Sequence, residues 1–217
     1  MRVAVLGASG GTGRHIVSGA FDRGLDVVAV GRSTTTLASE LPEANGRLDV
    51  RRADLLEEGS VPGAIRGCDA VICSIAPPLQ QHLLRSTVLF SRGVRSLVSA
   101  MRAERVPRLV VVSSAGVLDG DPSHPPVYRY VLKPLLFDRA MYRDMRVMEQ
   151  TVRDSGLEWI IVRAAGLTDG PRSGRARVQD GRLPEGGSRV SRLDLAWFLL
   201  DQLQDDTHLS GHPTLAY

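Results

Sequence analysis

The stretch VAVLGASGGTGR, residues 3–14, decides the fold. Val3 to Leu6 form an apolar run that meets a glycine-rich loop at Gly7, and a helical apolar pattern follows through Ile16, Val17, Ala20 and Phe21. Gly7, Gly10 and Gly13 are spaced three apart, as G-x-x-G-x-x-G. Gly7 permits a tight strand-to-helix turn, Gly10 lets a pyrophosphate approach the backbone without meeting a Cβ, and Gly13 allows the helix to pack closely on the sheet. Ser9, Gly10, Gly11 and Thr12 then point free N–H groups at the phosphates, where the helix dipole favours negative charge. A strand before the glycines and a helix after them is the context that makes this pattern read as a dinucleotide site. Without that context the same glycines would be a turn with no ligand.

Working outward, 217 residues fit one α/β domain, read here as a single unit spanning 1–217. Hydrophobic content of 43% and charged content of 24% are those of a globular protein. No apolar run approaches the roughly 18 residues that span a bilayer. The N-terminus enters a strand with neither a basic region nor a small-residue cleavage site, so no signal peptide is expected and a cytoplasmic location follows. The formal charge of +3 is spread along the chain and does not argue for nucleic acid. Cys68 and Cys73 lack metal-ligand spacing and read as buried thiols, so no metal site is expected. Lys133 is the sole lysine among 27 basic residues. Arginine-favouring codon usage explains the scarcity, though not why this lysine remains.

A second buried strand, Val27 to Gly31, ends at Arg32-Ser33. NAD-specific sites place an acid about 20 residues past the glycine loop to bind the ribose 2′-hydroxyl. Here Arg32 and the threonines Thr34, Thr35 and Thr36 supply donors suited to a 2′-phosphate, which favours NADP over NAD. The competing reading is that Arg32 stacks on adenine or is solvated. A third strand, Leu48 to Ala53, leads to Asp54-Leu55, where the acid either binds the adenine amine or caps the next helix. A helix over Val61–Ile65 and a strand over Ala70–Ile75 follow, so Ser74 and Ile75 face the middle of the cofactor. A long amphipathic helix is predicted over Leu83–Met101, and a β-branched fifth strand over Arg108–Val112 ends in Ser113-Ser114. A Pro-rich loop at 119–127 and a helical region over 128–155, broken near Pro134, precede a sixth strand at Trp159–Val162. Residues 166–187 carry little periodicity. A last helix begins near Arg192, and a short strand is predicted over Thr214–Ala216. Strands alternating with helices give a Rossmann-type doubly wound parallel sheet, with 166–188 as a small C-terminal substrate-side region. Ligands of such sheets bind outside the strands' C-terminal ends, which gathers Gly7–Gly13, Arg32, Asp54, Ser74 and Ser114 into one cleft.

The chain resembles the atypical short-chain dehydrogenase/reductases, and within them the NAD(P)H-binding, NmrA-like group that includes biliverdin-IXβ/flavin reductase. The likeness is carried by GASGGTG at 7–13, ADL at 53–55, VVVSSAGV at 110–117 and MRVMEQTVRDSGLEWIIVRAAGLTDGP at 145–171. RVSRLDLAWFLLDQL at 189–203 adds the group's R-x-D-x-A helix. The resemblance implies that Gly7–Gly13 hold the pyrophosphate, Arg32 the 2′-phosphate, Asp54-Leu55 the adenine and Ser74-Ile75 the ribose region. It places Ser114 near the nicotinamide and the substrate carbonyl, either contacting substrate or only ending its strand. Relatives with strong carbonyl chemistry use Tyr-x-x-x-Lys. Here Tyr128 lies five residues before Lys133 and Tyr130 three. Tyr130 and Lys133 share a helical face, so a Tyr130–Lys133 acid pair is geometrically open, although Pro134 disfavours a helix there. The flavin/biliverdin subgroup carries a histidine after the sixth strand where this chain has Gly166, which counts against tetrapyrrole reduction. Arg163 reads as a structural residue anchoring that loop.

The leading expectation is an NADP(H)-dependent oxidoreductase passing hydride to a conjugated acceptor such as a quinone, flavin or enone. Such acceptors need less help from a protein acid than an isolated ketone. Its partner would be an aromatic or conjugated small molecule, with no nucleic acid and no membrane, and the protein a monomer or homodimer. Two other classes stay open on the same fold: a non-catalytic NADP(H) redox sensor, and a non-redox isomerase, cyclase or dehydratase.

Overall fold

Runs such as Val27–Val30 and Leu109–Val111 have no polar alternation, so both faces of the strands they form must be covered. The computed structural model, which describes residues 1–42, 46–77, 87–118 and 141–217, covers them with helices on both sides. The described elements run β1 (Arg2–Leu6), α1 (Gly11–Asp22), β2 (Asp26–Gly31), α2 (Thr34–Glu40), β3 (Leu48–Arg52), α3 (Val61–Ile65), β4 (Ala70–Cys73) and α4 (Leu89–Glu104). They continue with β5 (Arg108–Ser114), α5 (Arg143–Arg153), β6 (Glu158–Ala164), β7 (Gly166–Thr168), β8 (Arg177–Asp180), β9 (Arg189–Ser191), α6 (Arg192–Asp201) and β10 (Pro213–Ala216).

The main sheet has the order β3-β2-β1-β4-β5-β6-β10-β8. β1 lies between β2 and β4, pairing Val3 with Val27 on one side and with Ala70 on the other. The chain therefore steps outward from β1 through β3, crosses back, and builds the second half from β4. That reversal opens a crevice at the strands' C-terminal ends. Along each strand, alternate residues face opposite layers. Ala4, Leu6, Val71 and Cys73 pack under α3, α4 and α5, while Val3, Val5, Ala70 and Ile72 pack under α1 and α6. Gly19 lets α1 and α6 close on each other, since a Cβ there would come within 2.8 Å of Leu200 Cδ1. No helix among the described residues is long and apolar enough to cross a membrane.

The doubly wound sheet agrees with the sequence, with three differences. β8 runs antiparallel to β10, so the sheet is mostly rather than wholly parallel. Residues 166–187, which show little periodicity, nevertheless contain β7 and β8; β7 pairs with β9 in a separate two-stranded sheet. These strands are three and four residues long and largely exposed, so no buried face imposes an alternating pattern on them. The third difference is at the start of α4, which begins at Leu89 with Thr87 and Val88 outside it, while residues 83–86 of the expected helix lie outside the described residues. Its first-turn N–H groups from Phe90 and Ser91 donate to the Asp144 carboxylate of the α5 region at 2.9 and 3.3 Å. A cap supplied from so far along the chain leaves no local signal. The Pro-rich loop at 119–127 and the helical reading of 128–140 fall outside the described residues.

Candidate functional site

β1 ends in a turn that only glycine permits. Gly7 has φ +83°, and a Cβ on it would overlap the Ser74 carbonyl beyond β4. Gly13 packs against the turn itself: its Cβ would overlap the Gly7 carbonyl and lie 2.8 Å from Ala8 Cα. Gly10 is the N-cap of α1, with no side chain capping the helix and no acid in its first turn. Helix geometry leaves the first N–H groups of α1 without intrahelical acceptors. The Gly10 N–H expected to be free instead donates to the Gly7 carbonyl at 2.9 Å, and the first turn of α1 borders a cleft of 890 Å³ lined by Gly7, Ser9, Gly10, Gly11 and Thr12 at this end. The cradle fits a dinucleotide pyrophosphate on steric and electrostatic grounds: bare backbone, open donors and the positive end of a helix.

Arg32, at the end of β2, lines the same cleft and is exposed. Thr34, Thr35 and Thr36 instead form the first turn of α2 and do not line the cleft. Thr36 is engaged in capping, its N–H and hydroxyl both donating to Ser33 Oγ, at 3.2 and 3.0 Å. Asp54 Oδ1 accepts the Leu56 N–H at 2.9 Å, and α3 takes Ser60 as its N-cap, so Asp54 shapes a turn and leaves the next helix uncapped by it. Leu55 reaches the cleft wall but is largely buried, packed on Gly93 of α4, whereas Leu56 lines the cleft and is 45% exposed. Leu56 is the apolar surface the sequence did not single out. Its signal was available, in the leucine following Asp54-Leu55. Ser74 and Ile75 line the middle of the cleft, just past β4.

At the far end, β5 and β6 are paired through Ser114 and Ala164. Ser114 Oγ accepts the Gly116 N–H at 3.1 Å, capping a 3-10 turn over Ala115–Val117. Ser114 lines the cleft. Ser113 points the other way. Its buried hydroxyl donates to Glu149 Oε1 at 2.7 Å, and Arg163 donates to the same carboxylate through Nε at 3.0 Å and Nη2 at 2.6 Å. Arg163 therefore ties β6 to α5 rather than anchoring the loop that follows it. Burial pushes the Cys73 thiol up to about 12, which keeps it protonated and unreactive near neutral pH.

Tyr142, just before α5, is buried, lines the cleft, and lies against Gly116 so closely that a Cβ there would overlap the phenol. The sequence offers a phenol beside Lys133, whereas the phenol on the described cleft is Tyr142. The signal was the spacing of Tyr142 and Arg146, four residues apart, with arginine where a lysine was sought. Tyr130 and Lys133 lie outside the described residues. Met141, Met145, Leu167 and Leu183 complete an apolar wall around Ser114 and Tyr142.

The segment between β7 and β8 is held down chiefly at Asp194, with Asp169 paired to Arg192 and Arg172 stacked over Trp197. The Asp194 carboxylate in α6 accepts from the N–H groups of Ser173 and Gly174, from the Ser173 and Ser191 hydroxyls, and from the Tyr217 phenol. Burial opposes ionisation of Asp194, but the Tyr217, Gly174 and Ser173 hydrogen bonds outweigh it and bring the carboxyl down to about 2. Ser191 Oγ accepts the Asp194 N–H at 3.0 Å, so one residue pair caps the helix and anchors the segment.

The structure thus brings Gly7, Ser9, Gly10, Gly11, Thr12, Arg32, Asp54, Leu55, Ser74, Ile75 and Ser114 to one cleft. Gly13 supports it from behind, packed on the turn.

Comparison with known proteins agrees with this architecture. The NAD(P)H-binding family matches residues 7–206. A dihydroflavonol 4-reductase from Gerbera hybrida is 34% identical over 139 residues, covering 58% of this chain and 37% of that enzyme. The match thus spans little more than a third of the reductase. A short-chain dehydrogenase/reductase (wide type) from Veillonella parvula, solved in complex with NADP, superposes with a TM-score of 0.81 at 17% identity, covering 100% of this chain and 94% of that one. An anaerobillin reductase from Escherichia coli O157:H7 superposes with a TM-score of 0.76 at 21% identity, over 100% and 97% of the two chains. At those identities the two superpositions establish the fold. The chain belongs to the NAD(P)H-binding family and has the Rossmann architecture of the atypical short-chain dehydrogenase/reductases.

Proposed function

We propose that the protein is an NADP(H)-dependent reductase that delivers hydride to a conjugated small-molecule acceptor. The observation that carries this reading is the asymmetry of the cleft. One end offers a glycine cradle and arginine side chains, while the other is walled by Met141, Tyr142, Met145, Leu167 and Leu183 around the Ser114 hydroxyl. An apolar wall with few polar groups suits a flat, largely uncharged acceptor such as a quinone, flavin or enone. The likeness to a dihydroflavonol 4-reductase, whose name marks a reductase, supports the same class of reaction.

Bound NADPH would supply the hydride. The chain's residues orient and polarise. Gly7, Gly10 and Gly13 shape the turn on which the pyrophosphate rests, and Arg32 beside the adenosine ribose favours the 2′-phosphate. Ser114, its oxygen already accepting from Gly116 N–H, directs its O–H toward an oxygen of the acceptor on which negative charge develops. Tyr142 stands on the same wall and closes it beside Gly116. The segment 166–188 contributes Leu167, Leu183, Gly187 and Ser188 to the lining and is the substrate-side region that limits water at the acceptor.

Purified protein given NADPH and a panel of quinones, flavins and enones should oxidise the cofactor at least tenfold faster than a Gly10→Val variant, whose branched side chain fills the cradle. Rates equal to the variant's with every acceptor would overturn the proposal.

A further inference from the structure

Gly11 needs no left-handed backbone, for its φ is not among the positive ones. Its glycine has another reason. A Cβ on Gly11 would lie 2.9 Å from Arg192 Cδ and 3.0 Å from Arg192 Nε. The missing side chain is the space through which the Arg192 arm, rooted in the first turn of α6, passes over the first turn of α1. Nη1 of that arm donates to Asp169 Oδ1 at 2.6 Å. Arg192 and Arg32 are the cations that line the cleft among the described residues, and they sit at different places in it.

The charges around Arg192 are unbalanced. Helix N-termini favour acids, and this guanidinium sits where two of them meet. The first turn of α1 carries neither an acid nor a side-chain cap. The acid of α6, Asp194, is committed to Ser173, Gly174 and Tyr217. The counter-charge in contact with Arg192 is Asp169, whose side chain is 86% exposed, so water screens most of its attraction. A guanidinium packed on an uncapped helix end, inside a cleft, sets Nε, Nη2 and the helix N–H groups side by side for one anion.

We propose that Arg192 is a cofactor-binding residue that holds the pyrophosphate from beside Gly11, together with the first N–H groups of α1. Through Asp169 it also couples that grip to the 166–174 segment bordering the acceptor end. The proposal rests on the dinucleotide reading of the cleft. A guanidinium has five donors, so Nη1 keeps Asp169 while Nε and Nη2 serve the phosphate oxygens. Cofactor binding then tightens the Arg192–Asp169 link and orders the segment over the acceptor end. Arg32 takes no part in this, because the 2′-phosphate lies at the other end of the adenosine.

Fluorescence titration of NADPH and NADH against wild type, Arg192→Ala, Arg192→Lys and Arg32→Ala separates the roles, with apo melting midpoints reporting folding. Arg192→Ala is expected to weaken NADPH and NADH alike, by about 10- to 100-fold. Arg192→Lys restores part of the loss, since a point charge lacks the fork. Arg32→Ala is expected to weaken NADPH alone. A folded Arg192→Ala that binds both cofactors as wild type does overturns the Arg192 proposal. An Arg32→Ala with unaltered NADPH preference overturns the NADP reading and leaves Arg192 standing. If Arg192→Ala does not fold, Arg192→Lys decides: a loss shared by both cofactors supports the proposal, and wild-type affinity contradicts it. Coupling is read by limited proteolysis. NADPH should protect residues 166–174 in wild type and not in Asp169→Asn, and equal protection in both removes the Asp169 link.

Discussion

At the dinucleotide end of the cleft, Gly7, Gly10 and Gly13 belong to one strand-turn-helix unit, and what matters about each is the side chain it lacks. At the proposed acceptor end, Ser114 comes from β5, Tyr142 from just before α5 and Leu183 from the segment before β9, and what matters is the side chain each presents. The first end is made of backbone, so a short stretch specifies it. The second is assembled by long-range contacts, chief among them the buried Ser113–Glu149–Arg163 cluster that fixes β5, β6 and α5 against one another. A family can keep the first end while exchanging the second, which separates binding a cofactor from choosing an acceptor.

The comparison breaks most readily at Glu149. Glu149→Gln leaves Arg163 buried without its anionic partner and is expected to destabilise the fold by about 3–5 kcal/mol, read as a lower urea midpoint. The folded fraction should still bind NADPH, because the glycine turn lies elsewhere. A loss under about 1 kcal/mol would mean that this cluster does not hold the acceptor end. Next is Gly13→Ala, whose Cβ overlaps the Gly7 carbonyl; about 1–3 kcal/mol of stability and the NADPH affinity are expected to fall together. Retained affinity in that variant would show that the cradle tolerates displacement. Ser114→Ala sharpens the contrast from the other side. NADPH affinity should hold while acceptor turnover drops about tenfold, equivalent to ~1.4 kcal/mol in the barrier. A drop in affinity without a drop in turnover would move Ser114 to the binding end.

The smallest effect is confined to acid. The Asp194 carboxyl is held at about 2, below its usual 3.8, so the stability it contributes is complete above pH 4 and is lost as pH falls from 4 through 2. Asp194→Asn, which cannot titrate, should flatten the pH dependence of the urea midpoint across that window. An unchanged slope would show that Ser173, Gly174 and Tyr217 do not favour the ionised form.

The same contrast explains what could be read from the chain. The doubly wound parallel sheet follows from apolar strands alternating with helices, and the Gly7–Gly13 turn follows from residue type alone. Arg32 and Ser74 were legible because each falls at the C-terminal end of a strand. For Leu56 and Tyr142 the chain shows only a cue of residue type and spacing, and for Arg192 none, because what brings them to the cleft is a turn shaped by Asp54, the packing of the Tyr142 phenol on Gly116, and the space above Gly11. Thr34–Thr36 show the reverse error. Their hydroxyls suited a phosphate in composition, yet the α2 cap at Ser33 commits Thr36 and turns the group into a helix start. Donor chemistry was visible in the sequence, and donor direction was not.

The most direct test is a crystal structure of the protein grown with NADP. Pyrophosphate density is expected over Gly10–Thr12, adenine between Asp54 and Leu56, the 2′-phosphate beside Arg32, and the nicotinamide next to Ser114 and Tyr142. Density running the opposite way, or a dinucleotide seated away from the glycine turn, would contradict that placement.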